Sequence, residues 1–583
     1  MSIKEFLLSN KKRTGLLISV IIILSGVIPL IVFTFFADPA HPYTITETTL
    51  ITEDYTKIQA DIYTPANMSG MHPGVVIGHG FTGNSKHMQL LAIELVKREF
   101  VVVNINFRGH GSSGGYLPSL INPLQVHILE QDMVAGIRYL QALGNINKIG
   151  LVGHSMGSMT ALRTADDHTN EINATVALGM VVGFEAGLMN LIEGTNATGT
   201  EEYNLTRIRN LLIANGRYEQ MFTPSVTLDF LKLYTNRSDV HLEQLYGDFT
   251  NGTAAKAVTG ETEHLFEPHD PHIMYETAAW FELTFYGTLR WPISITAPYA
   301  SLSFAIALMG MIALCFVAIF YLHNYLWRDK EINLRKDLVQ NTSTLKLVIY
   351  YIAATGIGIL LLIPLSILFA DVLPISMGQL LYAIPVGNAI GILLMYYLII
   401  RNKEKLGFRA IPSKIKMMCS GNPWRAILYG ILSAVLLALG ITAIADWSTL
   451  ITLPTPREIG TIFGTAILLF PWLLIKEFYF RTVQGQLKFS NRFKEYFVMV
   501  GLGFIMDAFL FIPPMILCWG QGSVFGFLAL ILTVEVIYSV IQQILVTWVY
   551  MYSGRNILGS TVFLCIFSAW MMVNFYPFGV AMF

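Results

Sequence analysis

"IGLVGHSMGSMTALRTA" occupies residues 149–165. A short apolar run ends in Gly153-His154-Ser155-Met156-Gly157, and small residues follow. The spacing G-x-S-x-G, set between a strand and a helix, predicts a serine on a strained turn with its Oγ projecting from the sheet. Glycines two positions to either side let the strand and the helix approach closely, because neither carries a Cβ. The following helix turns its positive N-terminal end towards the serine. The pentapeptide alone is a weak signal. Its strand-to-helix setting makes Ser155 a candidate nucleophile.

Working outward, apolar runs and helical patterns alternate. "TKIQADIYTP" (56–65) alternates like an antiparallel strand. "PGVVIGHG" (73–80), "FVVVNINF" (100–107) and "KIGLVG" (148–153) are short continuous apolar runs, as buried strands are. "ATVALGMVV" (174–182), "RNLLIAN" (209–215) and residues 255–258 read as further strands. Helical spacing appears in 87–98, 129–143, 158–167 and 272–285. Strands alternating with helices predict an α/β domain, a doubly wound and mostly parallel sheet with helices on both faces.

Beyond this domain the composition changes. The chain has 583 residues, 54% hydrophobic and 13% charged, against about 25% charged in soluble domains. The deficit sits in residues 15–36 and about 297–577, where apolar blocks reach the roughly 20 residues needed to cross a bilayer. The expected division is a membrane helix in 1–37, a soluble domain in 38–290 and a polytopic domain of about eight helices in 291–583. A net charge of −1 points to neither nucleic acid nor an acidic partner. The four cysteines all fall after residue 290, so no disulfide is expected in the soluble domain.

Lys11, Lys12 and Arg13 precede an apolar stretch of about 22 residues, longer than a secretory signal's apolar region. It reads as an uncleaved signal-anchor. With the N-terminus inside, "RDKEINLRKD", "RNKEKLGFRAIPSKIK" and "KEFYFRTVQGQLKFSNRFK" fall in cytoplasmic loops, and Arg457 is the exception outside. That places residues 38–290 on the extracytoplasmic side of a cell membrane. Asn-x-Ser/Thr sites at Asn67, Asn173, Asn196, Asn204, Asn236 and Asn251 fit this side and are candidate glycan acceptors, which would make the chain a glycoprotein. After residue 290 only Asn341 fits the pattern.

"GHGFTGN" (78–84), "NFRGHGSSGG" (106–115), "GHSMGS" (153–158) and a late Glu and His together resemble the α/β-hydrolase family over roughly 44–287. The resemblance implies the chain order Ser, then Asp/Glu, then His. The acid then falls after the next-to-last strand, in "NGRYEQ", at Glu219. The family more often has His-Gly-x-x-Asp there, so Asp248, and behind it Asp229 and Asp239, are rivals. The base falls after the last strand, at His264, with His269 next, while His272 is expected to begin the closing helix. The implied oxyanion hole uses the backbone N–H groups of Phe81 and Met156. His79, His110 and His154 are expected to be structural. The chemistry implied is that of a serine hydrolase with an acyl-enzyme intermediate and no cofactor. His264, His269, Asp270 and His272 could instead bind metal, but nothing else in the domain has ligand spacing, so no metal is expected.

Between 183 and 209, where family members insert a lid, the chain is short, which suggests an open site for esters, amides or peptides. The membrane tether favours lipid or acyl-modified substrates. Esterase or lipase chemistry is favoured. A serine peptidase, an acyltransferase, and a transporter or lipid-handling protein with a non-catalytic hydrolase-like module are the alternatives.

In the membrane half, "KEFYFR" (476–481) and "WVYMYSGRNILGSTVFL" (548–564) resemble, over about 340–577, the CAAX-type intramembrane proteases. Lys476 stands where that family's E-E-x-x-x-R motif has its first Glu, and no histidine follows His323. The resemblance therefore implies shared architecture without protease chemistry. Asp507 and Glu535, charges within spans, are expected to bond between helices or to line a polar pocket, and Glu477 could pair with Arg481.

Overall fold

The computed structural model describes residues 11–36, 38–120, 125, 127–180, 207–327, 342–446, 451–487, 489–508, 511–521 and 523–579. Asn196, Asn204, Asn341 and most of the 183–209 segment lie outside the described residues.

Eight strands form one sheet: β1 Tyr43–Ile51, β2 Lys57–Pro65, β3 His72–Gly78, β4 Val101–Ile105, β5 Ile146–His154, β6 Ala174–Leu178, β7 Leu211–Gly216 and β8 Ala255–Gly260. Their spatial order is β1-β2-β4-β3-β5-β6-β7-β8. The β1–β2 and β2–β4 pairs are antiparallel, and all others are parallel. This is the α/β-hydrolase sheet, mixed and mostly parallel.

Successive side chains on a strand face opposite ways, and the two faces bury separate cores. Val76, Val103, Leu151 and Ile213 face one core, shared with the helices α3 Ile128–Ala142 and α4 Met156–Asp167. Val75, Val102, Val152 and Leu212 face the other, shared with α2 Gln89–Val96 and α6 Pro271–Tyr286. The apolar runs in the sequence are continuous because both faces are covered. In this domain β1, the helix α5 Pro224–Thr235 and the short turn His264–His269 escape the sequence reading. β6 also ends at Leu178, short of the expected 182.

The apolar helices flank this domain in sequence. They are α1 Lys11–Ile31, α7 Ala297–Leu326, α8 Thr344–Leu368, α9 Gly378–Glu404, α11 Pro423–Ala445, α12 Pro456–Gln486, α15 Ser523–Tyr552 and α16 Ile557–Phe575. Among the described residues eight helices are long and apolar enough to cross a bilayer. A ninth span arises if α13 Arg492–Ala508 and α14 Ile512–Cys518, bent by 49°, count as one. A short helix, α10 Ala410–Cys419, joins α9 to α11.

Small residues bring these helices close, as membrane packing favours. A methyl on Gly26 of α1 would stand 2.3 Å from the Ala307 nitrogen of α7, and one on Gly391 of α9 would stand 2.2 Å from the Ala354 oxygen of α8. Several charges inside the bundle are paired, and Glu535 on α15 stands without an ion pair among the described residues. Arg481 donates to both Glu477 oxygens at 3.0 and 3.1 Å. Lys476 lies 3.0 Å from Asp507, which also accepts from Tyr351 and Gln543 at 2.7 and 2.6 Å. The Lys476 that departs from the protease motif is thus the counter-ion of the Asp507 carboxylate on a neighbouring helix.

Among the described residues, several bundle segments grip the hydrolase domain. Glu94 of α2, deeply buried, accepts from the Thr296 and Ala297 amides at 2.9 and 3.0 Å and so caps the start of α7. The Phe33 and Tyr299 rings stack at 5.2 Å beside it. Phe578, after α16, bonds Leu117 and Gly109 at 2.7 and 2.8 Å. Arg457 at the head of α12 donates to Gly115 O at 3.1 Å. Each of these bundle contacts comes from a segment that the positive-inside reading assigns to the outer side.

Candidate active site

β5 delivers the chain to Ser155 in the crevice beyond the carboxyl ends of the parallel strands, where open α/β sheets bind ligands. Ser155 has φ +55° and ψ −119°, a strained backbone for a residue with a side chain. The glycines around it are required by space. A methyl on Gly153 would stand 1.9 Å from Gly157 O, and one on Gly157 would stand 2.3 Å from Gly78 O. The strain therefore persists because β3, β5 and α4 are packed backbone against backbone.

β8 leads into a tight turn, His264–His269, and His264 heads it. Its Nε2 lies 2.8 Å from Ser155 Oγ, and its Nδ1 lies 2.8 Å from Glu219 Oε1. Glu219 follows β7, and its second oxygen accepts from the Met221 amide at 3.2 Å. Burial pushes the Glu219 carboxyl up, but the charge and hydrogen bond of His264 and the amides of Met221 and Phe222 outweigh it, so the group sits below the usual carboxylate range. The rival carboxylates stand elsewhere. Asp248 is exposed and closes its own turn on Thr250, Asp229 pairs with Lys232, and Asp239 pairs with Arg237.

A second carboxylate, invisible to sequence reasoning, lies under the same imidazole. Glu267 is fully buried. Its Oε1 accepts from the Gly216 amide at 2.6 Å, and its Oε2 is 3.7 Å from His264 Nδ1 and 3.4 Å from His154 Nε2. Burial, then the neighbouring Glu219 charge, raises its pKa well above the ordinary value, which favours the neutral acid over the carboxylate. Only the fold of the turn brings it here, and no sequence signal announces it.

The remaining histidines fasten the loops. His154 Nε2 bonds the His264 carbonyl at 2.8 Å, and His87 Nε2 bonds the Leu265 carbonyl at 3.0 Å. His79 Nδ1 donates to Gly80 O at 2.8 Å while its Nε2 accepts from the Phe107 amide at 3.0 Å, which defines its tautomer. His110 Nε2 bonds Phe81 O at 2.7 Å. Burial lowers all of them: His79 and His154 well below the ordinary value, His87 to about 3, and His110 and His269 to about 4. A methyl on Gly80 would touch Ser155 Cβ at 3.1 Å, so the 80–81 backbone passes directly over the serine. Met156 is the first residue of α4.

The suggested metal cluster is dispersed. Asp270 caps α6 through the His272 and Ile273 amides at 2.9 and 3.0 Å, His269 packs against His87, and His272 faces Glu243. Among the described residues two other groups bring ligand atoms together, His154/His264/Glu267 and Glu243/His272/Glu276. In the first, His264 already spans Ser155 and Glu219. In the second, Lys256 lies 2.7 Å from Glu276 and 3.7 Å from Glu243 and supplies the positive charge. A cavity of about 300 Å³ beside His41, Pro65 and Glu99 contains none of the Ser155, His264 or Glu219 side chains.

Of the sequon asparagines that are described, Asn67, Asn236 and Asn251 are exposed. Asn173 is half-buried, and its side-chain oxygen accepts from the Ile149 amide at 2.9 Å.

Residues 71–215 match a family described as serine aminopeptidase, S33. This part of the chain is an α/β-hydrolase domain. The match includes none of residues 340–577, and it lends no support to a likeness of that half to intramembrane proteases. Similar solved structures include the Pyrococcus furiosus esterase Pf2001 (17% identity, 41% of this chain and 92% of that one, TM-score 0.31). Est1E from Butyrivibrio proteoclasticus with ferulic acid bound gives 18%, 41%, 100% and 0.32. An epoxide hydrolase from Vigna radiata gives 14%, 41%, 99% and 0.29. No curated protein matches the chain.

Proposed function

We propose that the protein is a membrane-anchored serine hydrolase that cleaves carboxylic esters, with Ser155 as nucleophile, His264 as general base and then acid, and Glu219 as the group that orients and stabilises the imidazolium. One observation carries this reading: the unbroken chain Ser155 Oγ–His264 Nε2 and His264 Nδ1–Glu219, at 2.8 Å for each link. Ser155 Oγ attacks the substrate carbonyl while its proton passes to His264 Nε2. The backbone N–H groups of Phe81 and Met156 receive the developing oxyanion. The tetrahedral centre collapses, and His264 returns the proton to the leaving alkoxide. Water, deprotonated by His264, then releases the acid and restores Ser155. No metal or organic cofactor enters these steps.

A serine peptidase is the second reading, favoured by the description of the family that residues 71–215 match. A fluorophosphonate probe applied to membranes containing the full chain tests the reading common to both. Labelling of the wild type that is lost in Ser155→Ala and His264→Ala is the expected result. An unlabelled wild type overturns it. Parallel turnover of p-nitrophenyl butyrate and of aminoacyl-p-nitroanilides separates esterase from peptidase.

The domain boundaries belong to the same reading: an anchor in 1–37, a hydrolase domain in 38–290 on the extracytoplasmic side, and a polytopic domain in 291–583.

A further inference from the structure

The loops that surround Ser155 are held by the membrane bundle. The Phe81 ring, one residue from the Gly80 backbone over Ser155, meets the rings of Phe527 on α15 and Tyr576 after α16, each edge-on at 6.4 Å. The loop carrying Glu219 is latched to the start of the same helix. Gln220 O accepts from the Gly520 amide at 2.9 Å, and a methyl on Gly526 would stand 2.3 Å from that oxygen. Gln220 itself receives the His264 amide at 3.3 Å, so α15 backs directly onto the serine-to-glutamate chain.

The chemistry of this junction is apolar. Phe81, Met156 and Met221 of the hydrolase domain share one buried cluster with Leu530 of α15, and Phe527 and Ile531 pack on it. Ser155 stays partly accessible within this setting. Phe525 and Leu528, on another side of the same helix, are each 42% exposed on a surface suited to lipid. One helix therefore has one face at the reaction centre and another at the hydrocarbon.

We propose that α15 forms the acyl-binding wall of the Ser155 site, and that the substrate is a long-chain fatty acyl ester resident in the bilayer, which reaches the serine sideways along this helix. The proposal rests on Ser155 being a nucleophile. The acyl chain lies against Phe527, Leu530 and Ile531. The ester carbonyl is brought under the Phe81 amide. Ser155 Oγ bonds to the acyl carbon as the ester C–O bond breaks, the alcohol leaves with the proton carried by His264, and water then releases the fatty acid.

The test uses full-length protein in lipid nanodiscs and a series of p-nitrophenyl esters from butyrate to palmitate, with a short-chain fluorophosphonate measured in parallel. The wild type should show kcat/KM rising by at least about tenfold from butyrate to palmitate, the size of preference an apolar pocket gives. Leu530→Trp, which fills the wall, and Ile531→Ala, which thins it, should each lower the palmitate-to-butyrate ratio by about tenfold. Phosphonate labelling of the variants reports that the reaction centre is still assembled. A wild-type rate flat or falling with chain length overturns the proposal, and so does a ratio that neither variant moves while labelling persists. A wild type that fails to label at all overturns the hydrolase reading beneath it, which is a different result.

Discussion

Two carboxylates lie within 3.7 Å of one imidazole nitrogen, and their surroundings sort them. Glu219 gains the His264 charge and two amides and remains ionised. Glu267 gains one amide, faces the Glu219 charge and is pushed towards its neutral form. Glu219→Gln should therefore lower kcat by about 10² to 10⁴, since the imidazole loses its orienting anion. Glu267→Gln, which puts an amide of the same shape where burial favours the neutral acid, should leave kcat close to wild type. Purified variants assayed on one ester check both, and an equal loss in the two would show that Glu267 works as a second anion. Gly157→Ala should yield no folded hydrolase domain, judged by protease resistance, because its methyl meets Gly78 O at 2.3 Å. At this scale Ser155 was legible because an elbow needs glycine at fixed spacing. Glu219 and His264 were legible as positions in a chain order. Glu267 and the loop-fastening His87 were not, because their roles exist only once β7, β8 and the 264–269 turn are side by side.

The elements show the same division. β3, β4 and β5 announce themselves as apolar runs because helices cover both of their faces. β1, "YTITETTLI", pairs with β2 alone at the sheet edge, and its threonines and glutamate carry no hydrophobic pattern strong enough to mark it. α5 does carry a helical pattern, with Thr227, Phe230 and Leu231 on one buried face behind Pro224, whereas the six-residue 264–269 turn is too short to show one. The histidines that tie these elements together have a consequence for acid stability. Above the ordinary histidine value of about 6.5, the folded and unfolded forms are both neutral and nothing is lost. Below it the unfolded chain takes up protons that His87, His110 and His269 refuse until pH about 3 to 4, so stability falls as pH drops through that window. Each such group steepens the loss by at most about 1.4 kcal/mol per pH unit. The midpoint of thermal unfolding should fall from pH 6.5 towards pH 4, and His269→Phe, which removes one of these sites, should flatten that fall.

For the whole molecule, the positive-inside pattern makes sidedness an expectation open to direct test. Among the described residues, Arg457 and Phe578, in segments with few basic residues, contact the hydrolase domain, while Arg555 grips Glu495 at 2.6 and 2.7 Å and Asn556 ties the 419–421 turn. A single cysteine placed at Asn251 in a cysteine-free background should react with an impermeant maleimide on intact cells, and one at Lys403 should react only after lysis. The reverse pattern would invert the orientation. The docking of α15 onto the reaction centre had no trace in the sequence, since Phe527 and Leu530 are ordinary residues of an apolar helix.

α1 and α7 run side by side with glycine against backbone, so the chain enters and leaves the hydrolase domain at one spot. In engineering terms it is an insert carried by a helical hairpin, the arrangement in which one folded unit can be exchanged for another. A graft of any domain with adjoining ends would meet the geometric demand of the hairpin. It would still arrive without the α2 carboxylate that seats on the first turn of α7, so the foreign passenger would have to bring its own anion for that helix or leave its leading amides bare.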